Sequence, residues 1–124
     1  MSESAADLAF ARDLFSPMGP VEVKRMFGGA GVWAGGAMFA LIDGGRIYLK
    51  TDDGVLRSDL IAAGAVCWIY TERKGPKAGA PQQTSYWSLP DSALDDPEDA
   101  CAWGRRALAI AEAAKAGGPK RRRR

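Results

Sequence analysis

The residues of this chain that could do chemistry are few and widely spaced. Histidine is absent, which removes the usual imidazole base, every Ser-His or Cys-His nucleophile pair and zinc sites of the Cys/His type. Two cysteines, Cys67 and Cys101, stand in segments that read as a strand and a helix, with no CxxC spacing and no neighbouring cluster of metal ligands. Free cysteine in such a setting behaves as a small core hydrophobe, so two buried, reduced thiols are expected. Ser85 lies in Ser85-Tyr86-Trp87 with neither a GxSxG frame nor a base partner in the sequence. Asp52-Asp53 and Asp95-Asp96 have the groups to ligate a divalent cation or to act as acid and base, yet both pairs sit where a helix begins, and an acidic cap explains them. An enzyme would have to rely on a lone carboxylate, lysine or cysteine. No catalytic residue, cofactor or metal is therefore expected.

Two groups of side chains are candidates for binding instead. Arg25, Lys50, Arg73, Lys74 and Lys77 lie on or just beyond strands that could neighbour one another, and with Tyr86 they make a candidate partner-binding patch. Tyr48, Trp68, Tyr70, Tyr86 and Trp87 could form an aromatic face for bases or for a partner, although packing against the domain's own helices is the expectation for them. Gly28-Gly29-Ala30-Gly31 invites comparison with phosphate loops, but it matches neither GxGxxG nor GxxxxGK[ST] and no helix follows. A backbone bend is the expected role.

The elements that must position these residues follow from periodicity. Leu8, Ala11, Leu14 and Phe15 recur at helical spacing after Ser4, a good N-cap with Asp7 three residues on. From Val21 the period becomes two, placing Val21, Val23, Arg25 and Phe27 on one face of a strand. After the glycine bend, Val32-Trp33-Ala34 resumes extended structure, and Gly35-Gly36 and Asp43-Gly44-Gly45 are hairpin turns. Between them Ala37 to Ile42 is apolar on both faces, as a central strand covered on each side or buried at an interface would be. Ile47, Leu49 and Thr51 alternate with polar neighbours in the next strand. Asp53 is a candidate N-cap for a short helix ended by Gly64. Val66 to Arg73 and Thr84 to Leu89 read as strands flanking a Gly/Pro-rich loop. Asp96-Pro97-Glu98-Asp99 starts a long helix with the stripe Ala100, Trp103, Ala107, Ile110, Ala111 and Ala114.

The pattern is that of an α+β fold in two layers, a mostly antiparallel sheet of about five to six strands packed with helices. At 124 residues the chain suits one domain, taken as residues 1–118, with 119–124 as a basic disordered tail. No apolar run reaches the length of a membrane span and the start lacks a secretory signal, so a cytoplasmic protein with no membrane association is expected. The formal net charge is +2, but Lys120, Arg121, Arg122, Arg123 and Arg124 supply five of the seventeen basic residues. Without them twelve basic residues face fifteen acidic ones, a balance of −3. The body is mildly acidic, and these five terminal residues are the candidates for any nucleic-acid contact.

The order of motifs resembles the N-terminal domain of the TfoX/Sxy family of competence regulators. Lys24-Arg25-Met26-Phe27-Gly28-Gly29-Ala30-Gly31-Val32-Trp33 is similar to the family's opening signature, and Met38 to Ile42 to its central strand. Ile47 to Asp52, Ser85 to Pro90 with Leu94-Asp95-Asp96, and Trp103 with Ala107-Leu108 follow in the family's order. The match covers roughly residues 5 to 115 and omits the C-terminal helical domain that full-length members add. The resemblance implies a secretion-chaperone-like α+β fold and a regulatory protein without cofactor. It also implies a protein partner, a transcription activator of the cyclic-AMP-receptor type. Self-association, as a homodimer, is expected from the doubly apolar strand and the surplus of aromatics.

The charge distribution makes a prediction about DNA. Binding should be weak, non-specific and carried by residues 120–124, because a five-charge tail touches phosphates without reading bases. Full engagement gives a log–log salt slope no steeper than about −4.5, from roughly 0.9 per phosphate. Titrating the intact chain and a chain cut after Gly118 onto unrelated duplexes at two salt concentrations checks this. Affinity retained after truncation would contradict it.

Overall fold

The computed structural model describes residues 3–117 apart from 27, 72–74 and 77–78. Ser4 opens helix α1 (Ala5–Leu14) through a capping box: its hydroxyl accepts from the Asp7 N–H at 3.1 Å, and the Asp7 carboxylate accepts from the Ser4 N–H at 3.3 Å. A 3-10 turn at Ser16–Met18, carrying Pro17, stops it. Four strands then form an antiparallel meander, β1 (Glu22–Met26), β2 (Gly29–Ala34), β3 (Ala37–Asp43) and β4 (Arg46–Lys50). Both glycines of Gly35-Gly36 and of Gly44-Gly45 take positive φ, the conformation that a two-residue hairpin turn demands.

The glycine-rich segment is mostly strand rather than the expected bend. Only Gly28 there has positive φ; Gly29 to Gly31 pair in register with β1 and β3. The missing side chains serve close packing. A Cβ on Gly31 would lie 2.6 Å from the Trp33 ring and 2.7 Å from the Met38 sulfur, and one on Gly29 would strike the Ile42 carbonyl oxygen.

After β4 the chain forms helix α2 (Val55–Ala62), strand β5 (Cys67–Thr71), strand β6 (Pro81–Ser88), a 3-10 turn at Asp91–Ala93 and helix α3 (Pro97–Gly117). Asp53 is not the N-cap of α2. Gly54 occupies that position, Asp52 accepts from the Gly54 N–H at 2.9 Å, and Asp53 pairs with Arg57 at 3.0 Å. Asp96 does cap α3, its Oδ1 accepting from the Asp99 N–H at 3.2 Å. Strand β6 begins at Pro81, three residues before the expected start, and β5 ends at Thr71. Val66 precedes β5 but still pairs backbone with Ser88.

All six strands belong to one antiparallel sheet in the order β1-β2-β3-β4-β6-β5. Helix α3 lies on β3 and β4, with α1 beside it over β1 and β2, so these helices cover one face in a two-layer α+β arrangement. The buried side of α3 is small-residue: Ala100, Cys101, Gly104, Ala107 and Ala111 are buried, whereas Ala114 is exposed. A β-bulge aims β3. Trp33 pairs with Met38 and Val32 with Ala40, which leaves Phe39 as the extra residue. Phe39, Ala40 and Ile42 join the core under the helices, while Leu41 alternates to the other face. The doubly apolar strand is thus the centre of the sheet.

Among the described residues no helix is long and apolar enough to cross a membrane. Phe39 meets Phe15 edge-to-face at 5.2 Å between ring centroids, and both are fully buried. Phe39→Ala should therefore cost about 3–5 kcal/mol of stability, whereas Val55→Ala, at an exposed position, should stay within about 0.5 kcal/mol. Urea unfolding of the two variants, followed by far-UV circular dichroism, measures both.

Candidate functional site

Strand alternation divides β4 between the two faces of the sheet. Ile47 and Leu49 enter the core, so Tyr48 and Lys50 must point to the face that the helices leave open. Cross-strand pairing carries this division to β6, where Leu49 stands opposite Trp87 and Lys50 opposite Tyr86. Trp87 accordingly packs on the helix side, and Tyr86 joins Lys50 on the open side. On β5, Trp68 and Tyr70 take the open face and Ile69 the other. The pairing of β5 with β6 shifts between Cys67 and Ile69; Cys67 faces Trp87 and Ile69 faces Gln83, so Thr84, Ser85 and Tyr86 together oppose Trp68. Across this irregularity the Thr84 hydroxyl donates to the Trp68 carbonyl oxygen at 2.8 Å, and Tyr86 meets the Trp68 ring.

The result is an aromatic cluster with Trp68 at its centre. Its ring lies 6.3 Å from Tyr48, 5.8 Å from Tyr70 and 6.2 Å from Tyr86, in tilted or edge-to-face geometry. The Trp68 indole N–H donates to Asp43 Oδ2 at 3.0 Å, which holds the ring in place. The Lys50 ammonium sits 5.4 Å over the Tyr86 ring and donates to Ser85 Oγ at 3.1 Å. Beside the cluster opens a cleft of about 1040 Å³ lined by Met26, Leu41, Trp68, Tyr70 and Thr84 among others. Met26 belongs to β1 and Tyr70 to β5, the two edges of the sheet, so the sheet curls until both edge strands wall one concavity.

Four of the five aromatics expected to pack against the helices therefore lie on the helix-free face, and only Trp87 is under them. Of the expected basic patch, Arg25 and Lys50 are the described members, and the sheet sets these two apart. Arg25 pairs with Ala30, a core residue, and its guanidinium donates to the Glu3 carbonyl oxygen. It is on the helix side near the opposite edge of the sheet from Lys50. Arg73, Lys74 and Lys77 lie outside the described residues, as do Lys120, Arg121, Arg122, Arg123 and Arg124. Of the expected partner-binding residues, Lys50 and Tyr86 are brought together. Sequence reasoning missed Leu41 and Asp43 as members of this face; Asp43 read only as the opening of a turn, and its bond to Trp68 spans 25 positions.

The groups with chemical potential are otherwise engaged. Asp52, Asp53 and Asp96 have the local partners described above. Among the described residues no group of three or more Cys, Asp or Glu side chains could hold a metal ion. Cys101 is buried, and desolvation raises its thiol pKa against smaller lowering effects of a backbone hydrogen bond from Met18 and of Arg105. Cys67 is free and only half-buried, less enclosed than expected, with its thiol 3.3 Å from the Thr84 carbonyl. Ser85 does have a basic neighbour, contrary to the sequence reading, since Lys50 donates to it. That bond runs from the Lys50 nitrogen to the Ser85 oxygen, whereas a serine–lysine dyad needs the amine to accept the hydroxyl proton.

Burial raises the Tyr86 pKa above its ordinary 10.0. The folded chain then holds this proton more tightly than the unfolded one. Its contribution to stability is present below pH 10 and is lost as pH rises through the folded value. Absorbance titration of the phenols should show an ionisation above pH 10 that Tyr86→Phe removes, and the same variant should lose part of the alkaline destabilisation.

In comparisons with known proteins, the family model described as the TfoX N-terminal domain matches residues 13–111. A search of the curated proteins finds no match.

Proposed function

The chain belongs to the TfoX N-terminal domain family, and from that premise we propose that it is a small regulatory module that acts by docking to another protein. The observation that carries this reading is the helix-free face: Trp68 with three tyrosines and a lysine around it, beside a broad open cleft. Tryptophan and tyrosine are the side chains that most often supply interface hot spots, because each brings a large rigid surface and one polar handle. Here the Trp68 handle is already in use on Asp43, and Lys50 is tied to Ser85, so the central ring is held in position before a partner arrives. Pre-ordering of this kind lowers the entropy lost on binding.

The partner class that the family suggests is a transcription activator, and a role in competence is the family's reading rather than this chain's own geometry. Regulation by docking needs no catalytic group, in keeping with a family of regulatory rather than enzymatic domains. A cytoplasmic location follows from that role.

Capture from a native lysate with immobilised wild-type protein, compared with Trp68→Ala and Lys50→Glu, tests the reading. The wild type should retain a discrete protein, and Trp68→Ala should weaken that complex about 30-fold, the effect of losing a 2 kcal/mol hot spot. Equal capture by wild type and Trp68→Ala would exclude this face as the docking site.

A further inference from the structure

The two edges of the sheet are built differently. Strand β1 reads Glu-Val-Lys-Arg-Met, and its charges guard the edge against pairing with another strand. Strand β5 reads Cys-Trp-Ile-Tyr-Thr, with no charge and no proline and, among the described residues, no strand on its outer side. Its exposure is high for such residues, Ile69 at 45% and Tyr70 at 40%. Exposed apolar residues gather in this stretch of the chain as well. Of the six large hydrophobic residues exposed among the described residues, Val55, Ile61, Val66, Ile69 and Tyr70 all come from α2, β5 and their connection, and only Phe10 lies elsewhere. An unguarded strand with exposed apolar side chains is the pattern of an interface.

From this edge we infer that a second copy of the chain pairs with β5, antiparallel about a twofold axis through Ile69. This goes beyond the docking reading, since it uses the backbone edge of β5, whose Trp68 and Tyr70 also wall the helix-free cleft. The register follows from the backbone. Thr71 stands opposite Pro81, which has no N–H to donate, so this pair belongs to the non-hydrogen-bonded set of the β5–β6 ladder. Alternation puts Ile69 in the same set and turns the N–H and C=O groups of Ile69 and Thr71 to the open edge. A twofold axis at Ile69 matches those groups: Ile69 bonds its own copy, and Thr71 bonds Cys67 of the second copy. It is the register in which all five residues of each strand find partners.

The side chains suit the same axis. Trp68 falls opposite Tyr70 of the second copy, twice, in the pairs where side chains approach most closely. Both are already members of the aromatic cluster, so the cluster of one copy continues into that of the other. No like charges meet, because β5 has none. A perpendicular axis leaves both helix-free faces on the same side, giving one sheet with two clefts facing the same way. An isologous contact of this kind closes on itself and stops at two copies.

Light scattering of the purified full chain should give about twice the 13.2 kDa chain mass at concentrations of tens of micromolar. Ile69→Lys places two ammonium groups on the axis and should raise the dimer dissociation constant at least tenfold, while circular dichroism remains that of the wild type. Cysteine cross-linking reports the register independently of stability. Ile69→Cys should oxidise to a covalent dimer, because a hydrogen-bonded pair has Cα atoms about 5.5 Å apart, within disulfide reach. Thr71→Cys should bridge to the native Cys67 of the second copy. Wild-type Cys67 should not bridge to its own counterpart, four residues out of register and so about 13 Å away along the strand. A wild-type chain that stays monomeric, or a dimer that survives Ile69→Lys and gives neither cross-link, overturns the inference.

Discussion

Everything in this fold depends on the close seating of α3 against the middle of the sheet. A helix can approach a sheet this nearly only where its contact side is small, and α3 presents Ala100, Cys101, Gly104, Ala107 and Ala111 there. A Cβ on Gly104 would stand 2.9 Å from the Met18 sulfur and 3.1 Å from the Phe15 ring. Phe15 in turn meets Phe39, the residue that the bulge in β3 swings toward the helices. The helix, the turn after α1 and the central strand are thus locked through one set of contacts whose bulk comes from two phenylalanines and whose clearance comes from small residues.

With helices gathered on one side, the other side of a six-stranded sheet is left to cover itself. It does so partly by curling, which brings Met26 and Tyr70 to one cleft from opposite edges. Large side chains fill part of the concavity: Trp33 and Met38 lie over Gly31, and Trp68 is ringed by tyrosines. The side chains that finish this face are held by hydrogen bonds between distant parts of the chain, Trp68 by Asp43 and Lys50 by Ser85. A second tie holds the rim. The carboxylate of Glu3 accepts from the Gly44 and Gly45 N–H groups at 2.9 and 2.7 Å, fastening the segment before α1 to the β3–β4 turn. That fastening satisfies two turn donors that the hairpin itself cannot use.

Much of this was legible in local pattern. The capping box of Ser4 and Asp7, the double-glycine turns and the Asp96-Pro97 helix start act over a few residues, and their physics is complete within those residues. Legibility failed where the cause lay far away in sequence. Gly29 and Gly31 read as a bend because glycine in isolation signals freedom, whereas here each makes room for atoms of β2 and β3. Asp53 looked like a cap, but Gly54 takes the cap position while Asp53 reaches Arg57. The aromatics were expected under the helices because large rings usually are buried, and nothing local distinguishes Trp87, which is, from Tyr86, which is not.

The sequence by itself determined the class of the fold, the meander of the first four strands and the lack of histidine chemistry, because period, turn residues and composition are properties of neighbouring residues. Only the tertiary structure decided that β6 enters between β4 and β5, and this insertion creates the candidate site. Strands adjacent in the chain need not be adjacent in the sheet; pairing is chosen by which faces and edges fit once α2 has turned the chain away. By setting Lys50 opposite Tyr86 and Trp68 beside both, that choice assembled one aromatic face from residues up to 38 positions apart, and it left the uncharged β5 at the edge.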